Sequence, residues 1–98
     1  MSGEATALET EGGRWAVTGP LTMDSVAVLL QQSRVIELPA DGVVSLDRVD
    51  RVDSAGVALL LAWKRRAETE KRALAFAAMP ASMTTLATLY SVRDLLDT

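Results

Sequence analysis

The 98-residue chain is 49% apolar and 23% charged, the balance of an ordinary soluble globular protein, and its length fits one domain over residues 1–98 with its own core. It has no cysteine and no histidine, which removes disulfides, thiolate metal sites and the commonest general base, and so argues against an enzyme. A net charge of -3 argues against a nucleic-acid binder, which carries a basic excess. The longest apolar run, residues 55–63, falls far short of the roughly 20 residues needed to span a bilayer. The acidic start, with Glu4, Glu9 and Glu11, lacks the basic and apolar regions of a signal peptide. The expectation is a cytoplasmic protein that meets a membrane only through a partner.

Residues 1–12 are small, polar and acidic, and two readings stand open for them, a weak edge strand or a frayed end. Gly12-Gly13 marks a hairpin-like turn into a strand from Arg14 to Thr18, with Trp15 and Val17 on one face. Gly19-Pro20 ends it. Thr22 suits a helix N-cap and Asp24 its first turn, after which Val26, Leu29, Leu30 and Ser33 recur at helical spacing. This helix ends before Pro39.

Asp41-Gly42 forms a turn, and Val43-Val44-Ser45-Leu46 reads as a buried central strand. A polar loop follows, with Val49 and Val52 as inward anchors, and a long helix runs from Asp53-Ser54 to about Glu70. Beyond Glu70-Lys71-Arg72 comes a strand from Ala73 to Ala77, with Leu74 and Phe76 on one face. Pro80 suits the first turn of a final helix, whose stripe is Met83, Leu86, Ala87 and Tyr90. Residues 91–98 read as a short edge strand or a frayed tail. Alternation of this kind implies parallel strands joined by right-handed crossovers after an initial hairpin, a small α/β layered domain.

Asp53-Ser54-Ala55-Gly56 is the constellation that invites a functional reading. It follows a buried strand and opens a helix, where free N–H groups attract anions and Ser54 is exposed. Simple capping by Asp53 or Ser54 accounts for the same residues. No P-loop lysine accompanies the turn, and no histidine can take a proton from Ser54. The first turns of the helix are apolar all round, so Val57, Leu61 or Trp63 either meets a partner or is covered by neighbouring helices. Lys64, Arg65, Arg66, Lys71 and Arg72 read as a solvated helix end or as the charged rim of an interface. Asp47, Asp50 and Asp53 alternate with Arg48 and Arg51, which suits local ion pairing and turn formation better than a metal site.

Val44-Ser45-Leu46-Asp47, followed by Val49-Asp50-Arg51-Val52-Asp53-Ser54-Ala55-Gly56 and an apolar helix, resembles the signature of the STAS domain family. The likeness spans the element order of the whole chain. It is greatest to the MlaB branch, on Arg51-Val52-Asp53 leading into Ala58-Leu59-Leu60-Leu61 and on Leu86-Ala87-Thr88-Leu89-Tyr90-Ser91-Val92. The resemblance implies a four- or five-stranded mixed sheet packed with helices, no catalytic residue, no cofactor and no metal. It implies a cytoplasmic subunit, peripheral on the inner membrane, that binds the MlaF-like ATPase of an ABC transporter and through it the permease MlaE and MlaD. Such a complex moves phospholipids and maintains outer-membrane lipid asymmetry.

By the same resemblance Asp53, Ser54, Ala55 and Gly56 belong to the partner-binding surface. Ser54 matches the family's Ser/Thr, which is phosphorylated in anti-sigma-factor antagonists. The tetrapeptide is as close to those antagonists as to the MlaB branch, so an anti-sigma-factor antagonist is the alternative. A small serine hydrolase stands further off, for want of histidine.

Overall fold

Gly12 and Gly13, at positive φ of 58° and 89°, turn the chain tightly between two strands, β1 (Ala7–Glu11) and β2 (Arg14–Thr18), which pair antiparallel. The computed structural model describes residues 6–97, without the side chains of Asp94 and Asp97, so part of the expected N-terminal edge strand or frayed end lies outside the described residues. From β2 the chain passes through α1 (Val26–Arg34) to β3 (Val43–Arg48), and through α2 (Ser54–Thr69) to β4 (Ala75–Ala77). Two further helices follow, α3 (Ala81–Leu89) and α4 (Arg93–Asp97). The sheet order is β1-β2-β3-β4, with β2, β3 and β4 parallel. It is a four-stranded mixed sheet, the smaller of the two sizes expected. Of the stretch expected as an edge strand or a frayed tail, the described residues 91–97 form no strand; α4 instead packs against α2, α3 and β4 and buries Leu96.

Two right-handed crossovers moving the same way along a sheet put both helices on one face. The burial pattern follows. Trp15 pairs with Val44 and Val44 with Phe76, while Trp15, Val17, Val44 and Leu46 have no exposure at all. These side chains meet Leu29 of α1, Leu60 and Trp63 of α2, and Met83 and Ala87 of α3 in one core. The opposite face carries Glu9, Ala16, Ser45 and Ala77 in register, and among the described residues the helices pack their buried side chains on the other face. Charges on the Glu9 face are paired, Arg48 with Glu11 across strands at 3.1 Å and Arg14 with Asp41 of the turn before β3 at 3.7 Å. The hydrogen bond to Glu11 raises the Arg48 pKa above its ordinary value.

Helix α1 begins later than Thr22. Ser25 is the N-cap, because the amides of Ser25 and Val26 both bond back to the Thr22 carbonyl and close a turn first. The buried Ser25 hydroxyl fixes that turn, donating to Pro20 O at 2.7 Å and accepting from Thr22 N at 2.9 Å. At its far end α1 is tied to α2 by Trp63, whose indole donates to Ser33 Oγ at 2.9 Å. Trp63 also meets Trp15 edge-on at 5.3 Å. Such a pair adds about 0.5–1.5 kcal/mol beyond its buried area.

The basic cluster divides. Arg66 reaches across to the carbonyls of Ser33 at 2.7 Å and Ile36 at 2.8 Å, and Arg72 to that of Pro39 at 2.9 Å. These two close the chain leaving α1, where carbonyls past the helix end need donors. Arg65 and Lys71 are exposed. Replacing Arg66 with Met should therefore cost about 1.5–3 kcal/mol, the worth of hydrogen bonds from a charged donor. The same change at Arg65 should stay within about 0.5 kcal/mol. Thermal melts of the two variants check this, and equal losses would contradict it.

Candidate functional site

The parallel strands β2 and β3 deliver their carboxyl ends to one edge of the sheet, the place where open α/β sheets put their sites. Past β2 the chain runs through Gly19 to Leu21; past β3 it runs to Asp53. The two segments continue the pairing: Leu21 N donates to Arg51 O at 2.7 Å, Asp53 N donates to Leu21 O at 3.1 Å, and Leu21 forms a parallel bridge with Val52. Val49 is buried and Val52 half-buried beneath this loop.

Asp53 takes an extended conformation and caps α2. Its Oδ1 accepts from Ala55 N at 2.8 Å and from Gly56 N at 3.4 Å, satisfying two of the donors a helix leaves open. Its Oδ2 accepts from Met23 N at 3.0 Å. One carboxylate thus joins the start of α2 to the turn before α1. Gly56 is buried beneath that turn, and a Cβ there would stand against the Leu21 carbonyl oxygen and 2.9 Å from the Leu21 Cβ. Only glycine admits the approach.

Ser54 stands exposed at the first helical position, with Ala55 half-buried behind it. Met23, held by Asp53, is 76% exposed beside them. Val57 and Trp63 are 3% and 1% exposed, so they do not offer themselves to a partner. They face the sheet, α1 and α3, the covering by neighbouring helices that the periodicity left open. Leu61 is half-buried on the other flank of α2, in a cleft with Lys64, Leu74 and Leu95. The surface beside Ser54 is made instead by Met23, Ala27 and Ala58. The signal for it in the sequence was the absence of charge: residues 25–33 and 54–63 contain no Asp, Glu, Lys or Arg.

The chemistry open to this site is narrow. Among the described residues no group of three or more acidic side chains could hold a metal ion. Asp53, the carboxylate next to Ser54 in the chain, spends both oxygens on backbone amides. What the site offers is a hydroxyl, a helix N-terminus and an uncharged apolar surface, the ingredients of a protein contact.

A family model, "Mlab, STAS domain", matches residues 4–97. The chain belongs to the Mlab STAS domain family. STAS domains are generally non-catalytic. A comparison with curated proteins finds no match. Among solved structures, "Crystal Structure Analysis of Mglu in its native form" is similar at 20% identity and a TM-score of 0.47, over 71% of this chain and 22% of that chain. This STAS chain thus spans about a fifth of that structure's length. No helix among the described residues is long and apolar enough to cross a membrane.

The double role of Asp53 has a measurable consequence. An asparagine caps as well as aspartate, but its amide group cannot accept from Met23 N–H while its oxygen serves the helix. In Asp53→Asn the Met23 amide should exchange hydrogen faster while the Ala55 and Gly56 amides keep their protection. Asp53→Ala should expose all three and cost about 0.5–2 kcal/mol. Amide exchange by NMR reads both, and an unchanged Met23 amide in Asp53→Asn would show that the bridge does not hold the turn.

Proposed function

We propose that this STAS domain is a non-catalytic subunit that binds and supports the ATPase of an ABC-type phospholipid transport complex, one that maintains outer-membrane lipid asymmetry. The observation that carries the proposal is the exposed Ser54 at the N-terminus of α2, set in an uncharged surface on a chain of the Mlab STAS family. Asp53, Ala55 and Gly56 shape that surface, and Val57 and Trp63 support it from the core. The subunit works in the cytoplasm at the inner membrane, which it reaches through the MlaF-like ATPase; the permease MlaE and MlaD are met only indirectly. It needs no cofactor. Purified chain should hydrolyse neither ATP nor esters, and activity lost in Ser54→Ala would overturn this part.

A second reading, an anti-sigma-factor antagonist switched by phosphorylation of Ser54, is favoured by the accessibility of that hydroxyl. Capture of partners from the native membrane and cytoplasm, with identification by mass spectrometry, separates the two. An ABC ATPase supports the first, a serine kinase the second.

The charge at Ser54 decides binding under either reading, and two effects oppose each other. Within the domain an added negative charge at the positive end of α2 is favourable by about 0.3–1 kcal/mol. Against a partner the same charge loses water, and even a neutral group left unpaired there costs about 1–3 kcal/mol. The second effect is larger. Ser54→Asp should melt near the wild-type temperature yet release the ATPase, and Ser54→Thr should bind almost as wild type. Titration of the three proteins against purified ATPase tests this; equal affinities would reduce Ser54 to a helix position without a role in binding.

A further inference from the structure

Helices α1 and α2 lie side by side, and between them runs an open apolar groove of about 370 Å³ walled by Val26, Ala27, Leu30, Ala55, Ala58 and Ala62. Alanine makes up most of the wall, so another helix can approach closely, since interaxial distance follows side-chain size at the contact. On the outer flank Val28 and Val35 are 49% and 81% exposed. Neither helix puts an ionised group along the groove itself.

The groove ends differently at its two ends. Near the helix N-termini it opens beside Ser54 and Met23. Toward the C-termini both walls pass, at helical spacing, into arginine: Ala27 and Leu30 lead to Arg34, and Ala55, Ala58 and Ala62 lead to Arg65. Both arginines are exposed. Arg14, Arg48, Arg66 and Arg72 all have carboxylate or carbonyl partners, whereas Arg34 and Arg65 have none among the described residues.

We infer that this groove receives an amphipathic helix of the partner protein, apolar where it meets Ala27, Ala58 and Ala62 and bearing carboxylates at the end that meets Arg34 and Arg65. The inference rests on the reading of the Ser54 surface as a partner-binding site and adds the kind of segment it takes. A helix in a groove recognises through an apolar stripe, which an uncharged wall admits without desolvating an ion. Two guanidinium groups at one end match carboxylates in planar, paired geometry and fix the direction in which the segment lies.

The test titrates the purified ABC ATPase against wild type, Ala58→Glu and the double variant Arg34→Glu/Arg65→Glu, at low and high salt. Both variants change exposed side chains and should melt as wild type. Each should lose at least about tenfold in affinity at low salt, and added salt should weaken wild type but strengthen the double variant, whose glutamates face the partner's carboxylates. Unchanged affinity in either variant overturns the inference.

If the ATPase does not bind wild type, the functional reading fails and the groove is tested alone. The probe is then a synthetic helical peptide with a leucine stripe ending in two glutamates, and the readout is the amide NMR spectrum. Shifts confined to residues around Ala27, Ala58 and Arg65, weaker for the same peptide ending in lysines, uphold the inference. No shifts, shifts elsewhere, or equal shifts for both peptides overturn it. Self-association of the chain that Ala58→Glu abolishes would assign the groove to a second copy and overturn it as well.

Discussion

The Asp53 carboxylate accepts hydrogen bonds from Met23, thirty residues before it, and from the Ala55-Gly56 pair just after it. That junction sets where α2 starts and how near the turn before α1 lies to it. The bare Cα of Gly56 is what lets Leu21 come close enough for the junction to form. A methyl group there would push the two segments apart, and the pairing of Leu21 with Val52 would open with them. The exposed Ser54 and Met23 sit side by side as a result of this packing.

At the opposite end of the same helices the tie is made by donors on α2. Trp63 bonds the Ser33 hydroxyl, which itself donates to Leu30 O at 2.8 Å, and Arg66 bonds the carbonyls of Ser33 and Ile36. The Arg66 guanidinium also lies over the Trp15 ring, 5.9 Å from its centre. Polar groups in this part of the core are thus paired, and no buried side-chain nitrogen or oxygen is without a partner among the described residues. These ties hold α1 and α2 together at both ends, with the groove between them.

The two faces of the domain divide the labour. The strand face away from the helices carries small residues, with Ala16 and Ser45 buried at its centre, and exposed ion pairs at its margin that contribute at most about 1 kcal/mol each. The helix face has the reverse character, with apolar and uncharged residues on its outer side. A single layer of helices over a sheet has no second layer to cover it, so α1 and α2 can bury only the faces they turn to β2 and β3. Their outward alanines and valines are the surplus.

Much of this was legible in the residues themselves. The alternation of Trp15 and Val17, the β-branched run before Asp47 and the turn signals at Gly12-Gly13 and Asp41-Gly42 named the strands, because the period of two and the φ requirements of turns are local properties. The Asp53-to-Gly56 run marked the opening of α2 and the family for the same reason. What stayed open depended on the neighbours. In a helix apolar on every side, periodicity cannot say which apolar face is core, so Trp63 and Val57 read equally well as anchors for a partner. The sheet and α3 decided that they are buried, and left Ala58 exposed and Ala62 half-buried. Likewise Arg65 and Arg66 are adjacent letters of one basic cluster. Their separate fates follow from a turn of about 100° along the helix, which aims one guanidinium at the open carbonyls beyond α1 and leaves the other in solvent.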